Sequence, residues 1–462
     1  MRMIALLFIL YAASGQAQSN KISYWLTKHD RSVLFSKQGS SPVFSVSSSN
    51  LPAINIDDNK KFQTIDGFGY ALTGGSAQHI IKMSASARTA LIKELFAVDN
   101  NNIGVSYIRL SIGASDLNEK IFSYDDLPAG ETDPEMKKFD LGPDRQDVVP
   151  VMKEILKVIP SLKILGSPWS PPTWMKTNHD TRGGQLKPEF YDAYAKYFVK
   201  YVQQMKAEGI PIDAITVQNE PLHPGNNPSL LMTAPDQAEF IKNHLGPAFK
   251  KNNIKTKIIV YDHNADRPDY PGIIFKDSAA SKYVDGSGFH LYNGRIEALT
   301  DLHDLYPDKN IYFTEQMVVE DPRDPQINIS WPVSNLIIGA TRNWSRNVLE
   351  WNLAADPDNK PYTDRGGCDM CQGAVTINKD SITRNIAYYS VAHASKFVRP
   401  GSVRIASNEI DSISNAAFKT PEGKYVLIVS NNSDVPQHFN IKFRGKTAEA
   451  KIDGGSVATY VW

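Results

Sequence analysis

The sequence predicts an α/β protein: a (β/α)8 barrel with an appended β-sandwich formed by the N-terminal strands and the C-terminal region. Between residues 63 and 399, short apolar strands alternate with polar loops and amphipathic helices. Such alternation implies parallel strands joined by crossovers, and eight units over roughly 330 residues fit a (β/α)8 barrel. Near Arg399 the helical pattern ends, and the short strands and turn signals that follow indicate an all-β module.

The eight strand candidates are short and apolar, and each is followed by a polar loop. They are Thr64–Gly69, Val105–Ser111, Leu162–Pro168, Ala214–Glu220, Lys257–Asp262, Val284–His290, Ile311–Glu315 and Val348–Asn352. The clearest helix is predicted at Pro188–Glu208, where aromatic residues recur at three- and four-residue steps. A doubly wound open sheet is the alternative, but no G-x-G-x-x-G motif follows the first strand.

Both chain ends are expected to contribute to the β-sandwich. Ile22–Leu26, Val33–Ser36 and Ala53–Ile56 are short alternating runs, as expected of antiparallel strands. A barrel leaves its two ends free, so these runs are expected to pair with strands of Val403–Trp462. The predicted division is a signal peptide at 1–17, sandwich strands at 18–62, the barrel at 63–399 and the rest of the sandwich at 400–462.

The first residues have the pattern of a cleaved secretory signal. Arg2 precedes an apolar run, Met3–Ala13, and small and polar residues follow it up to Ala17. The apolar run is too short to span a bilayer comfortably, and no later stretch is long enough. No cysteine lies near the expected cleavage site for a lipid anchor. We expect an exported protein, periplasmic or secreted, from a bacterial source.

Composition disfavours several classes of partner. Lysine plus arginine equals aspartate plus glutamate, at 50 each, which disfavours a nucleic-acid partner. Cys368 and Cys371 form a C-x-x-C pair, which predicts either a small disulfide or two free thiols. A zinc site would need two further ligands at suitable spacing, so no metal is expected. The acidic loop Asp262–Asp269 is expected to be solvated rather than to bind calcium.

Chemically active residues lie at the predicted strand ends, which converge on one face of a parallel barrel. They are Arg109, Trp169, Asn219, Glu220, His290, Tyr292, Glu315, Trp351 and Asn352. Aromatic faces stack on sugar rings, while amides and arginine bind hydroxyls. The set therefore predicts a carbohydrate site.

Glu220 and Glu315 are the candidate catalytic pair. A lone Asn-Glu-Pro is often a turn, but strands four and seven face each other across a barrel mouth. Retaining glycosidases need a proton donor and a nucleophilic carboxylate about 5–5.5 Å apart. His290 either orients a carboxylate or is structural, and Arg109 either bridges Glu315 or pairs with another barrel acid.

Longer motifs resemble glycoside hydrolase family 30 of clan A, which includes glucosylceramidases and β-1,6-glucanases. The resemblance lies in Gly67–Thr73, Ser167–Asn178, Trp351–Leu353 and the segment Gly367–Gly373. It implies a retaining mechanism without cofactor or metal, on a barrel joined to a β-sandwich built from both chain ends.

The resemblance also implies roles for individual residues. Glu220 corresponds to the acid/base and Glu315 to the nucleophile. Asn219 corresponds to the residue that binds the sugar 2-hydroxyl. The remaining correspondences are Trp169, Tyr292 and Trp351 as the lining of the −1 subsite and Arg109 as a support for the nucleophile.

One departure from the family pattern bears on specificity. Glucosylceramidase-like members have Thr-Asp-Ala where this chain has Thr73-Gly74-Gly75. Gly74 is expected to leave room for a chain continuing from O6, which favours an endo-β-1,6-glucanase acting on a β-glucan polysaccharide or oligosaccharide. If His79 or Asp116 closes the pocket instead, an exo-acting β-glucosidase or glucosylceramidase is expected.

Two further alternatives stay open. A non-catalytic glycan-binding protein is disfavoured, because binding alone does not need two facing carboxylates. Trp331, after strand seven, is expected to be a stacking platform for an aglycone-side sugar or a loop anchor.

Overall fold

The computed structural model describes residues 20–46, 49–321 and 323–462. The predicted signal peptide at residues 1–17 lies outside the described residues. Within the described ranges, no helix has the length and apolar character needed to cross a membrane.

Strands are numbered in chain order. They are β1 (Ser23–Thr27), β2 (Ser36–Lys37), β3 (Ala53–Thr64), β4 (Gly67–Leu72), β5 (Tyr107–Ser111), β6 (Lys163–Ser167), β7 (Ala214–Thr216), β8 (Lys257–Ala265), β9 (Val284–Gly294), β10 (Asn310–Glu315), β11 (Ser345–Asn352), β12 (Ala354–Ala355), β13 (Val375–Asn378), β14 (Ser381–Arg384), β15 (Val403–Ser407), β16 (Ile413–Lys419), β17 (Tyr425–Asn431), β18 (Gln437–Phe443), β19 (Lys446–Ile452) and β20 (Val457–Val461).

The α-helices are α1 (Gly74–Lys82), α2 (Ala85–Phe96), α3 (Val148–Val158), α4 (Tyr191–Ala207), α5 (Ala234–Phe240), α6 (Gly246–Lys251), α7 (Asp269–Lys276), α8 (Ser278–Ser281), α9 (Ala298–Leu305), α10 (Ser330–Pro332) and α11 (Ile386–Ser395). A π-helical segment, Ile241–Leu245, joins α5 to α6, and another, Val333–Ala340, continues α10. Short 3-10 turns lie at Gly142–Arg145, Thr173–Met175 and Pro188–Phe190.

The strands β4 to β11 close into a parallel barrel in chain order, which confirms the predicted fold class. The bounds of all eight barrel strands differ from the predicted ranges by a few residues, and two of these differences affect the architecture. The first barrel strand starts at Gly67, because the chain up to Thr64 still belongs to β3, which pairs with β15 and β18. The fourth ends at Thr216, and Glu220 has a φ of 45°, outside the extended region.

Alternation along the strands builds the barrel interior in layers. The lower layer is a buried apolar cluster of Tyr107, Leu165, Ala214, Ile259, Tyr312 and Leu349. Side chains two residues apart on a strand share a face, so the next inward position on four of these strands is polar. Those positions are Arg109, Ser167, Thr216 and Thr314. The strand sequences therefore place a polar layer above an apolar one, at the barrel mouth.

The second domain is a nine-stranded sheet made from both chain ends, in the order β19-β18-β3-β15-β16-β17-β20-β1-β2. β1 pairs antiparallel with β20, and β3 pairs with both β15 and β18. Its core includes Ile54, Leu427 and Phe439, which are fully buried. The expectation that the N-terminal strands join the C-terminal region is confirmed.

A buried histidine connects the last barrel helix to this sheet. His393 of α11 contacts Thr27 Oγ1 through Nε2 at 2.8 Å and Thr459 Oγ1 through Nδ1 at 2.9 Å. Burial lowers the pKa of His393 to about 3, so the ring is neutral at physiological pH. Because the Thr459 hydroxyl donates to the His393 carbonyl, it accepts from Nδ1–H. Nε2 then accepts from Thr27.

Glu350 is a buried carboxyl between the barrel and α11. It lies on β11, where its side chain points out of the barrel and that of the adjacent Leu349 points into it. Ser390 Oγ donates to Glu350 Oε1 at 2.5 Å. Burial raises the pKa of Glu350 from 4.5 to about 8. The folded protein therefore holds a proton here that the unfolded chain releases, so this group's contribution to stability falls as pH rises from about 4.5 to about 8.

Replacing Glu350 with glutamine is expected to remove this pH dependence, because the amide cannot ionise. Glu350→Gln should raise the free energy of unfolding by roughly 5 kcal/mol at pH 9 and by about 1 kcal/mol at pH 5. Urea denaturation at the two pH values measures this, with the exposed Glu449→Gln as control. Equal pH dependence in wild type and Glu350→Gln would contradict the assignment.

Candidate active site

A cleft of about 260 Å³ opens at the C-terminal ends of the barrel strands. Its lining is Asp116, Trp169, Asn219, Glu220, His223, Asn226, His263, Asn264, Tyr292, Glu315, Met317, Trp351, Cys368 and Cys371. Six of these are residues that the sequence placed at strand ends. A larger depression of about 650 Å³ lies at the opposite barrel end. There Lys163 pairs with Asp213 and Lys257 with Asp285.

Arg109 lies fully buried beneath the cleft and joins three strand ends. Its Nη1 donates to Glu315 Oε2 at 2.5 Å, and its Nη2 donates to Asn219 Oδ1 at 2.7 Å and to Asp262 Oδ2 at 2.8 Å. Burial disfavours the charge, but Asp262 and Glu315 raise the pKa of Arg109 above its ordinary value. Both alternatives expected for Arg109 are therefore present: it contacts Glu315 and pairs with a second barrel acid.

Asp262 is the second barrel acid and accepts hydrogen bonds from five side chains. They are Arg109, Ser167, Thr216, His290 and Thr314. Burial raises the pKa of Asp262, but Arg109 and His290 more than offset it and hold the pKa well below its usual range. Asp262 is therefore a fixed negative charge.

The expectation that the Asp262–Asp269 loop is solvated is wrong for Asp262, which is fully buried, while Asp266 and Asp269 are exposed. The cause is an irregularity in β8. Tyr261 and Asp262 have φ values of 72° and 68°, and the pairing of β8 with β9 shifts register there. The irregularity turns Asp262 inward. Its position at the end of the fifth predicted strand was the signal that could have found it.

His290 lies between the three acidic groups. Its Nε2 is 3.0 Å from Asp262 Oδ1, and its Nδ1 is 3.1 Å from Glu220 Oε1 and 3.8 Å from Glu315 Oε1. Burial opposes protonation, but Glu315, Asp262 and Glu220 raise the pKa of His290 to about 9. His290 is thus an imidazolium that donates from both nitrogens, and it orients Glu220.

Glu220 and Glu315 face each other at the cleft. Each has a carboxylate oxygen within 4.8 Å of the other's and of a His290 nitrogen. Burial raises the pKa of Glu220, but the hydrogen bond from His290 outweighs it and the pKa is lowered. Burial and the negative charge of Glu220 raise the pKa of Glu315. The positive charges of His290 and Arg109 lower it but do not fully offset the rise. The two carboxyls therefore titrate as a coupled pair.

Among the described residues, Glu220, His290 and Glu315 form the group whose geometry could hold a metal ion. Metal ligation requires a neutral imidazole nitrogen. Both nitrogens of His290 face carboxylates, and its pKa of about 9 keeps both protonated at neutral pH. Metal binding would need to displace those protons.

Two tryptophans form one wall of the cleft. The rings of Trp169 and Trp351 stack with centroids 5.4 Å apart, and the Arg109 guanidinium lies 4.8 Å from the Trp169 centroid. Asn219 Oδ1 accepts from Arg109, so its Nδ2 is the group left to meet a ligand. Tyr292 Oη donates to Glu315 Oε1 at 3.0 Å. These expected residues all meet at one cleft.

Cys368 and Cys371 form a disulfide, which resolves the two alternatives left open by the sequence. Both line the cleft, and Cys371 Sγ lies 3.4 Å from Met317 Sδ. Met317 follows Glu315 by two residues, so the disulfide-bonded turn forms a wall beside that strand end.

The open space expected at Gly74 is absent, and that prediction is wrong. Gly74 is buried at the start of α1, and a β-carbon added there would lie 1.9 Å from Asn118 Nδ2. Asn118 comes from the loop after β5 and fills the space. Asp116, from the same loop, lines the cleft instead. Burial and the charges of Glu315 and Glu220 raise the pKa of Asp116 to about 8.

Trp331 does not line the cleft either, so its expected role as an aglycone-side platform there is wrong. It lies in α10, 40% exposed, in a separate depression between the barrel and the sheet domain. The physical reason is that the chain after β10 leaves the barrel mouth before reaching Trp331, and the π-helical segment that follows packs on β16 and β17.

Sequence reasoning also missed a histidine beside Glu220. His263 Nε2 lies 3.9 Å from Glu220 Oε1, and burial lowers the pKa of His263 to about 4. His263 is therefore neutral at physiological pH and lines the cleft with His223 and Asn226. Asn226 Nδ2 donates to Glu220 Oε2 at 3.2 Å.

A parallel barrel that presents two close carboxylates beside stacked aromatic rings has the site of a glycoside hydrolase. Comparison with known proteins identifies which kind. Residues 65–398 match the glycosyl hydrolase family 30 TIM-barrel domain, and residues 401–460 match the glycosyl hydrolase family 30 beta sandwich domain. The chain belongs to glycoside hydrolase family 30, as its motifs indicated.

Individual relatives span most of the chain. An endo-1,6-β-D-glucanase of Neurospora crassa is 32% identical over 88% of this chain and 88% of its own. The lysosomal acid glucosylceramidase of Mus musculus is 29% identical over 88% of this chain and 83% of its own. The solved structure of the endo-β1,6-glucanase BT3312 is 34% identical, with a TM-score of 0.89, covering 96% of this chain and 99% of that one.

Removing the charge of Asp262 is expected to destabilise the protein, because Arg109 and His290 would keep buried positive charges with one fewer partner. Asp262→Asn should lower the free energy of unfolding by about 3 kcal/mol, measured by chemical denaturation at pH 7. Asp266→Asn, in the same loop but exposed, is the matched control and should change little. Equal stability of the two variants would refute the structural role of Asp262.

Proposed function

We propose that the protein is a retaining endo-β-1,6-glucanase that cleaves a β-glucan through a covalent glycosyl-enzyme. The observation that carries the proposal is the approach of the Glu220 and Glu315 carboxylates to within 4.8 Å. Retaining enzymes hold these groups about 5–5.5 Å apart, whereas inverting enzymes leave about 6.5–9.5 Å for a water molecule.

Glu315 is proposed as the nucleophile because its oxygens are fixed by donors. Arg109 donates to Oε2 and Tyr292 to Oε1. The Met317 backbone N–H donates to Tyr292 Oη at 2.9 Å, so the tyrosine proton is directed at Glu315. When Glu220 carries the proton of the coupled pair, its charge no longer raises the pKa of Glu315. Arg109 and His290 then keep Glu315 ionised for attack on the anomeric carbon.

Glu220 is proposed as the acid/base. His290 Nδ1–H donates to Glu220 Oε1 and orients this carboxyl group, and Glu220 delivers the proton of the coupled Glu220–Glu315 pair to the glycosidic oxygen. After the leaving sugar departs, Glu220 takes a proton from the attacking water. Asn219, with its Nδ2 free, is proposed to bind the 2-hydroxyl of the sugar in the −1 subsite, between Trp169 and Trp351.

The β-1,6 specificity is supported by relatives rather than by Gly74. The curated endo-1,6-β-D-glucanases are 32% identical to the chain, and the solved endo-β1,6-glucanase is 34% identical. One observation favours an exo-acting β-glucosidase as second candidate: Asn118 fills the space at Gly74, and Asp116 lines the cleft and can bind terminal hydroxyls.

Export is proposed from the first residues. The basic start, apolar run and small residues of 1–17 support a cleaved signal, and the domain division at 18–62, 63–399 and 400–462 is proposed for the mature chain.

The two carboxylates are expected to respond differently to substitution. Glu315→Gln should abolish turnover of every β-glucoside, because no glycosyl-enzyme forms. Glu220→Gln should lower turnover of β-1,6-glucan by about 10²–10⁴-fold. It should spare the first step with an aryl β-glucoside, whose leaving group needs no proton. Steady-state and burst kinetics distinguish these outcomes. Normal turnover by Glu315→Gln would exclude it as the nucleophile.

Product analysis decides between the two candidate functions. An endo-acting enzyme should release a ladder of β-1,6-linked oligosaccharides from a long β-1,6-glucan before glucose accumulates. Chromatography of early digests, with lichenan and glucosylceramide as comparison substrates, measures this. Glucose as the sole early product would instead establish the exo-acting β-glucosidase.

A further inference from the structure

Trp331 is more exposed to solvent than any of the other six tryptophans of this chain. The other six are buried or partly buried, whereas Trp331 is 40% exposed. No aromatic ring or cation of the described residues packs on its face. Burying a side chain of this size stabilises a protein by about 2 kcal/mol or more, so its exposure beside a depression indicates a surface for a ligand.

The depression beside Trp331 is about 670 Å³, larger than the catalytic cleft. One wall comes from the barrel and carries Asn328, Ser334 and Asn335, while the facing wall comes from the sheet domain and carries Ser414 and Asn432. Amide and hydroxyl groups around one aromatic ring suit a neutral sugar chain, which offers a flat apolar face and many hydroxyls.

The two walls are fixed relative to each other. Ser334 Oγ donates to Asn432 Oδ1 at 2.5 Å, and Asn432 Nδ2 donates to Ser414 Oγ at 2.8 Å. Ser430 Oγ donates to the Ser330 carbonyl at 3.4 Å, beside Trp331. A ligand would therefore find its surface already formed, which lowers the entropy cost of binding.

The barrel wall of the depression follows α10 and the π-helical segment Val333–Ala340 that continues it. Arg342 pairs with Glu409 at 3.2 Å, and Glu297 leaves the depression with one excess negative charge, which disfavours an anionic ligand.

We propose that this depression is a second glucan-binding site, in which Trp331 stacks on a sugar ring outside the catalytic cleft. The identification of β-1,6-glucan as the ligand of this second site rests on the proposed function. A chain held at both places is kept near the catalytic carboxylates by the second contact, which raises effective concentration without affecting the chemical step.

The test compares long and short substrates. Trp331→Ala should lower kcat/KM on long β-1,6-glucan by roughly three- to tenfold, the scale of one lost aromatic contact. It should leave kcat/KM on an aryl β-glucoside within about twofold of wild type, because its single sugar occupies only the catalytic cleft. Leu305→Ala, which removes a side chain 73% exposed on α9 and outside the depression, is the matched control. Equal effects of Trp331→Ala on both substrates, or none on either, would overturn the proposal.

A binding measurement separates this proposal from the proposed function. Affinity electrophoresis in β-1,6-glucan gels compares Glu315→Gln with the double variant Glu315→Gln/Trp331→Ala. Weaker retardation of the double variant supports the second site even if the wild type cleaves no β-1,6-glucan, a result that would overturn only the proposed function. Identical retardation overturns the second site.

Discussion

The buried pairing of Arg109 with Asp262 is the interaction on which the rest of the active site depends. Both side chains are fully buried, and together they form hydrogen bonds with residues at the ends of four other barrel strands. A single charge at this depth would be costly, and the pair is sustained by hydroxyl donors from three strands. Any shift of one strand end would break several of these bonds. The position of Glu315 and the orientation of His290 are therefore both set by this pair.

The catalytic cluster is an arrangement of charges as much as of shapes. Three carboxyl groups face one guanidinium and one imidazolium, so full ionisation would leave an excess negative charge in a buried site. The coupled pair of Glu220 and Glu315 accommodates that excess by holding a proton between them. Neutral His263 contributes no further charge at Glu220. One proton is therefore held between two acids, and a double displacement requires it to lie on Glu220 when the glycosidic bond breaks.

The strand count, both glutamates and the aromatic wall followed from local pattern, because strand ends of a parallel barrel converge wherever the crossovers lead. What failed depended on contacts between segments distant in sequence. A β8 irregularity turned Asp262 inward, and Asn118 from another loop filled the space at Gly74. Trp331 lies far enough beyond β10 for the chain to leave the mouth. None of these three positions can be predicted from the type of the residue alone.

The interleaving of the two chain ends has a consequence for how the molecule is made. β1 lies between β20 and β2, and β3 lies between β15 and β18, so the first strands synthesised must wait for the last. Until then their backbone donors and acceptors are unpaired, and they are open to wrong partners. Such distant pairing slows folding, because a very long loop must close before the contacts form. The sheet domain therefore completes only after the whole barrel has left the ribosome.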